Sequence, residues 1–155
     1  MPGARSDEAR AFLESVREAR FNMDRASREL QQAEALCTQI TAQISGAPGG
    51  SGDAHKDGAW AALADHRTLL RQLYEDAERQ AVAVEQFVKL IPADKHRIIL
   101  RLRYIDLLHW PEVQDRLKEY SLYYSERQIF RLHGDALEAA RKLWAELYNS
   151  EGDLK

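Results

Sequence analysis

Residues 103–137 read RYIDLLHWPEVQDRLKEYSLYYSERQIFRLHGDAL, and this stretch decides the fold of the second half of the chain. Pro111 suits the first turn of a helix, where its missing amide hydrogen has no partner to lose, and it predicts a helix over residues 110–119. Ser125 followed by Gln128 has the spacing of a capping box, which predicts that the last helix begins there, after the turn YSLYY. A short helix, a turn and a capped helix form the pattern of a helix-turn-helix.

The composition is that of a folded, helical protein. Of the 155 residues, 45% are hydrophobic and 30% are charged, which is typical of a globular chain and not of a disordered one. Proline occurs only four times, whereas the helix formers Ala, Leu, Glu, Gln and Arg are frequent. We therefore expect an all-α fold.

The single cysteine, Cys37, excludes an intramolecular disulfide framework and is typical of a reducing compartment. The sequence has neither a charged and apolar leader nor an apolar run long enough to cross a bilayer. We therefore expect a cytoplasmic protein that makes no membrane contact.

The first part of the chain carries a heptad stripe between residues 6 and 45, where Ser6 and the acidic residues after it are suited to start a helix. Small or apolar residues recur there in alternating steps of four and three, as in a coiled coil. The stripe consists of Phe12, Val16, Ala19, Met23, Ala26, Leu30, Ala33, Cys37, Ile40 and Ile44.

A second stripe follows the segment SGAPGGSGDAHKDG, in which five glycines and one proline predict a flexible loop over residues 46–58. The predicted second helix runs from about residue 59 to residue 90. Its stripe consists of Leu63, Arg67, Leu70, Tyr74, Ala77, Ala81, Val84, Val88 and Ile91, with Arg67 as the one misfit. The two helices predict a long antiparallel helical hairpin over residues 6–92, and its leftover apolar surface predicts a homo-oligomer.

Residues 93–148 form the predicted helix-turn-helix domain. Asp94 is placed to start its first helix, and Ile98, Ile99, Leu102 and Ile105 are expected to face inward. The core side of the last helix is expected to consist of Ile129, Leu132, Ala136, Ala140, Leu143 and Leu147.

Charge alone does not indicate a nucleic-acid partner, because the chain carries a net charge of -3. Residues 93–148 nevertheless contain 10 basic against 9 acidic residues, so any such interpretation depends on where the cations lie. Arg127, Gln128 and Arg131 fall on the early exposed positions of the last helix, the end that enters the major groove in a helix-turn-helix. Arginine can pair with guanine and glutamine with adenine, while the nearby Lys118 would face phosphates.

The same stretch resembles the helix-turn-helix of phage transcription regulators of the ArpU and RinA-like type and of a related uncharacterised phage family. The shared pattern is a helix L-x-x-R-Y-I, a tryptophan, an acidic-aliphatic pair, and Y-S-x-R-x-[IV]-x-R-L-H-x-x-A-L. The matching residues are Leu100, Arg103, Tyr104, Ile105, Trp110, Glu112, Val113, Tyr124, Ser125, Arg127, Ile129, Arg131, Leu132, His133, Ala136 and Leu137. One departure is Gln114, which stands where the family has a small residue.

The resemblance implies a DNA-binding module similar to region four of sigma factors, used to control late phage genes in the cytoplasm of a bacterial host. It implies double-stranded DNA as the partner, with RNA polymerase as a further one. We expect Arg127, Gln128 and Arg131 to face bases. The residues expected to hold the DNA backbone or the turn are Lys95, Arg103, Lys118, Tyr124 and Ser125.

Two other functions remain open at the level of sequence. Small terminase subunits also combine a helix-turn-helix with coiled-coil helices, although they usually place the DNA-binding module first. The mild negative charge instead favours a protein-protein adaptor whose last helix is an interface. We expect no enzyme activity, cofactor or metal, because the five histidines and the one cysteine lack metal-ligating spacings and no nucleophile or carboxylate pair stands out.

Overall fold

The computed structural model describes residues 7–44 and 53–149, and it confirms the all-α prediction of a helical hairpin followed by a helix-turn-helix. No strand occurs within these two ranges. The helices are α1 (Glu8–Ile44), α2 (Asp53–Lys89), α3 (Asp94–Leu100), α4 (Trp110–Glu119) and α5 (Glu126–Asn149), and α3 continues as a π-helical segment (Arg101–Ile105). None of the helices in the described part of the chain is long and apolar enough to cross a membrane.

The long helices α1 and α2 pack against each other, and the described residues form two compact units. The hairpin unit comprises residues 19–44 and 53–78, which are the later part of α1 and the earlier part of α2. The terminal unit comprises residues 7–18 and 79–149, so that it contains the beginning of α1, the end of α2 and all the later helices.

In the hairpin unit, the interface between the helices is formed by Ala26, Cys37 and Leu63, which are buried, and by half-buried residues of the two predicted stripes. The Cys37 thiol donates to the carbonyl oxygen of Ala59 at 3.3 Å, which joins the two helices close to their connection. The residues predicted to face α2 from this part of α1 are therefore correct wherever their side chains are described.

The predicted register of α2 is wrong between residues 63 and 77. Tyr74 is 56% exposed, and Arg67 is exposed and lies 3.7 Å from Glu34 in an ion pair. The inward positions are instead His66 and Leu73, both half-buried. From Leu63 the inward positions follow in steps of three and then four, whereas the prediction had steps of four and then three. The difference arises because one inward position is the polar His66, and the prediction was made from apolar residues.

The helix α2 also begins earlier than predicted, at Asp53, so residues 53–58 of the predicted loop are helical. The remainder of that loop, residues 46–52, lies outside the described residues, as does Ser6. Gly58 lowers helix stability by only about 1 kcal/mol relative to alanine, which a long packed helix can absorb. At the other end of the pair, Asp7 accepts a hydrogen bond from the amide of Arg10 at 3.1 Å and so caps α1.

The core of the terminal unit joins the helix-turn-helix to the ends of the long helices. Leu13 of α1 and Val84 of α2 are completely buried in the same cluster as Ile99, Val113 and Leu117. Beside them, the rings of Phe12, Phe87 and Trp144 pack together with centroids 5.1–5.8 Å apart. The predicted domain boundary after residue 92 stays a prediction. The core around residues 93–148 also contains residues that precede this boundary, such as Leu13 and Val84.

The inward residues predicted for α3 are confirmed for Ile99 and Leu102, which are buried, and for Ile98 and Ile105, which pack against the core. Of those predicted for α5, Leu147 is wrong, since it is 39% exposed. The other five are buried or packed against the core. The π-helical segment ends with the amide of Asp106 bonded to the carbonyl of Arg101 at 2.9 Å, and Leu107 then adopts a positive φ of 57° to turn the chain toward α4.

Candidate nucleic-acid interface

The predicted capping box at the start of α5 is present. The Ser125 hydroxyl accepts a hydrogen bond from the amide of Gln128 at 3.2 Å, and the Gln128 side-chain oxygen accepts one from the amide of Ser125 at 2.9 Å. Two amides that a helix start leaves without intrahelical partners are satisfied in this way. The exchange sets both the residue and the direction at which α5 begins.

Arg127 and Arg131 are both exposed on the first turns of α5. Residues four apart lie on the same face of a helix, so the two guanidinium groups extend from one surface of α5. Gln128 is exposed as well, but its oxygen is engaged by the cap. The free side of Gln128 is therefore its amide nitrogen, which can only donate.

The turn before α5 is held from two sides. Gln114 of α4 donates from its side-chain nitrogen to the carbonyl of Tyr124 at 3.0 Å, and Lys95 of α3 places its ammonium 5.8 Å from the centre of the Tyr124 ring. Ser121 bends the turn with a positive φ of 61°. Gln114, the departure from the family pattern, is thus the residue that ties α4 to the turn.

Lys118 is exposed near the end of α4, and its ammonium lies 3.5 Å from a carboxylate oxygen of Asp115. Both side chains face solvent, so the pair contributes little to stability and the lysine can exchange this partner for another anion at small cost. Arg116 is likewise exposed and pairs with Glu119 at 3.6 Å.

Arg103 lies in a different environment from the other predicted contact residues. Its guanidinium stacks over the Trp110 ring at 4.5 Å and donates to the carbonyl of Leu108 at 2.8 Å. Burial lowers the pKa of Arg103, and the positive charges of Arg17 and Arg10 lower it further. Among the predicted contact residues, Lys95 lies next to Tyr124, and Ser125 is hydrogen-bonded to Gln128. Arg103 instead contacts a separate cluster of side chains in the same unit.

Tyr104, Trp110 and His133 also belong to that cluster, and none of the three was among the predicted DNA contacts. The Tyr104 hydroxyl and Nε2 of His133 are 2.8 Å apart, and the His133 ring packs against the edge of Trp110 with centroids 4.8 Å apart. Burial, followed by the charges of Arg10 and Arg103, lowers the pKa of His133 to about 4. His133 is therefore a neutral imidazole at physiological pH.

One sequence signal pointed to this cluster. Arg10 and Arg17 are seven residues apart in α1, a spacing that places both on one side of the helix, next to the buried Leu13 and Val16. Only the packing of the terminal unit brings that side of α1 against Arg103 and His133, which lie far along the chain.

No group of three or more His, Cys, Asp or Glu side chains suited to hold a metal ion occurs among residues 7–44 and 53–149. Comparison of the chain with protein-family models, with curated proteins and with solved structures gives no match.

Proposed function

We propose that this protein is a sequence-specific DNA-binding regulator of phage or prophage transcription. The observation that carries the proposal is the start of α5, where a reciprocal cap orients the helix and Arg127 and Arg131 extend from one exposed face. In a helix-turn-helix this part of the second helix enters the major groove. The sequence resemblance to phage regulators supports the same function.

The spacing of the two arginines suits duplex DNA. Four residues of helix advance about 6 Å, which is close to two base-pair steps of about 3.4 Å each. Each guanidinium can make a two-pronged contact with the O6 and N7 atoms of a guanine. We therefore assign the base contacts to Arg127 and Arg131, directed at positions about two base pairs apart.

The remaining predicted residues take other roles in this proposal. A two-pronged contact with adenine needs both the oxygen and the nitrogen of Gln128, and the oxygen already serves the cap. Gln128 and Ser125 therefore keep α5 in place, and the amide nitrogen of Gln128 can still donate to a base edge. Lys118 and Lys95, both exposed, are suited to contact phosphates beside the groove.

Self-association is part of the proposal, because dimeric helix-turn-helix proteins bind paired half-sites. The hairpin unit leaves several large hydrophobic side chains exposed, which supports contact with another copy. These are Phe21, Leu36, Trp60, Leu69 and Tyr74. We place the protein in the bacterial cytoplasm with RNA polymerase as a second partner, in line with the resemblance.

A protein-protein adaptor is the rival function, and the aromatic residues around the turn favour it. Tyr123 is 74% exposed, Tyr120 52% and Phe130 44%. Tyrosine and phenylalanine are enriched at protein interfaces, so this surface could receive a protein in place of DNA.

The test is selection of sites from a pool of random duplex DNA with the full-length protein, followed by affinity measurements at several salt concentrations. We expect enrichment of a defined site and an affinity that falls steeply with salt as counterions are released from the DNA. If no site is enriched and the chain shows no salt-dependent affinity for any duplex, the DNA proposal is wrong and the adaptor takes its place.

Two variants of the full-length protein separate base reading from phosphate contact. Arg131→Ala should weaken binding to the selected site about 5- to 150-fold and relax its sequence preference, because loss of a guanine contact costs about 1–3 kcal/mol. Lys118→Ala should weaken all duplexes alike and reduce the salt slope by about one unit. Arg116→Ala, which removes an exposed arginine from the same helix as Lys118, is the matched control. Equal losses on all sequences for Arg131→Ala and Lys118→Ala would contradict base reading by Arg131.

A further inference from the structure

The terminal unit contains a cavity of about 140 Å³ beside the Tyr104–His133 pair. Its charged lining comes from two elements, since Arg10, Glu14 and Arg17 belong to α1 and Arg103 belongs to the π-helical segment. Tyr104, Trp110 and His133 provide the rest of its polar and aromatic wall. None of these residues belongs to the exposed face of α5 that we assign to DNA.

The lining is strongly unbalanced in charge. Three guanidinium groups face one carboxylate, and that carboxylate, Glu14, already pairs with Nε of Arg10 at 3.0 Å. The stacked and half-buried Arg103 is held close enough to Arg17 and Arg10 for their charges to lower its pKa. The charges of Arg10 and Arg17 thus oppose the charge of the half-buried Arg103, and an anion bound among the three guanidinium groups would offset that repulsion.

The donors fit a phosphate group. Guanidinium groups offer planar forks of N–H donors that match phosphate oxygens, and here they converge from α1 and from the segment after α3. A tetrahedral anion presents oxygens in several directions, so it can accept from both elements at the same time. The cavity volume of about 140 Å³ is large enough for a phosphate group.

We propose that the cavity lined by Arg10, Arg17 and Arg103 is a binding site for a phosphate group. The phosphate group comes from a small solute or from a nucleic-acid backbone, and the bound group joins the start of α1 to the segment that precedes α4. The site is assayed with a free anion and without DNA. A negative result would therefore contradict the phosphate site and leave the DNA-binding proposal untouched.

His133 provides the reporter for this site. The charged groups around it are Arg10 and Glu14 of α1, Arg103 of the π-helical segment and Arg141 of α5, and the Tyr104 hydroxyl is its hydrogen-bond partner. An anion in the cavity offsets the positive charges, so it should raise the pKa of His133 from about 4 toward its ordinary value of 6.5.

The experiment is an NMR titration of the imidazole resonances of the full-length protein with inorganic phosphate, at constant ionic strength maintained with sodium chloride. We expect a saturable shift of His133 and an upward change of its pKa. Arg17→Gln should weaken the phosphate affinity about tenfold or more, because a hydrogen bond between charged groups is lost. Arg17 is exposed, so this variant should fold normally, and Arg116→Gln is the control with the same loss of charge outside the cavity.

A second titration uses a short duplex DNA under the same conditions. A His133 shift caused by DNA and abolished in Arg17→Gln would identify the nucleic-acid backbone as the source of the phosphate, whereas a response to inorganic phosphate alone would identify a small solute. Equal responses of the wild type and Arg17→Gln to phosphate would overturn the proposal. So would an equally strong effect of sodium acetate, since it would show that a phosphate group is not what the cavity recognises.

Discussion

Replacement of His133 by glutamine should make the protein less sensitive to mild acid. In the folded chain the pKa of His133 is about 4, first because the ring is buried and then because Arg10 and Arg103 lie near it. In the unfolded chain the ring returns to its ordinary pKa of 6.5. Between these two values the unfolded state takes up a proton that the folded state does not, so the folded state loses stability as the pH falls.

The magnitude follows from the width of that window. Each pH unit between 6.5 and about 4 lowers the free energy of unfolding by about 1.4 kcal/mol, which gives a loss of about 2–3 kcal/mol between pH 7 and pH 4.5. The loss begins below about pH 6.5 and is complete below about pH 4. The amide side chain of the His133→Gln variant cannot take up this proton, so the variant should not show this loss. At pH 7 the variant should be about 1 kcal/mol less stable than the wild type, because the ring packing with Trp110 changes.

The assay is urea denaturation followed by circular dichroism, with wild type and His133→Gln compared at pH 7 and pH 4.5. The stability advantage of the wild type at pH 7 should disappear or reverse at pH 4.5. Comparison of the two chains cancels the effect of carboxylates, which titrate in both. His96→Gln, in which a histidine outside this cluster is replaced, is the matched control. A difference between wild type and His133→Gln that stays constant with pH would refute the reasoning.

Other predictions concern single contacts, each measured by thermal or urea denaturation. Ser125→Ala should cost about 1 kcal/mol, because α5 loses its side-chain cap, and Ser125→Asn, which keeps a capping oxygen, should restore most of it. Gln114→Ala should cost about 1 kcal/mol by freeing the carbonyl of Tyr124, and an effect as small as that of a surface substitution would contradict the role of Gln114 in the turn. The hydrogen bond from Arg141 lowers the pKa of Asp7, so its contribution, up to about 1 kcal/mol, is present at neutral pH and is lost as the pH falls through that lowered pKa. Asp7→Asn should therefore destabilise the protein at pH 7 and much less at pH 2.

The features that depend only on residues close together in the chain, such as the boundaries of α4 and the start of α5, could be predicted from the sequence. The helix α4 begins and ends at the predicted residues, and α5 begins after the predicted capping box, because these boundaries depend on proline geometry and on hydrogen bonds between residues three apart. The inward stripe of α1 was also predictable, since nearly every inward position there is small or apolar. Where one inward position is polar, as at His66 in α2, the same reasoning assigned the wrong residues.

The contacts between distant segments could not be predicted in this way. Sequence alone grouped Arg103 with the residues expected to hold the DNA backbone or the turn, and it predicted no role for Arg10 or Arg17. The tertiary structure shows Arg103 stacked on Trp110, beside a cavity that both α1 arginines line. Local sequence determined where α4 and α5 start, because proline geometry and side-chain caps act within a few residues. Which side chains meet across the core depends on how whole helices pack, and only the folded chain decides that.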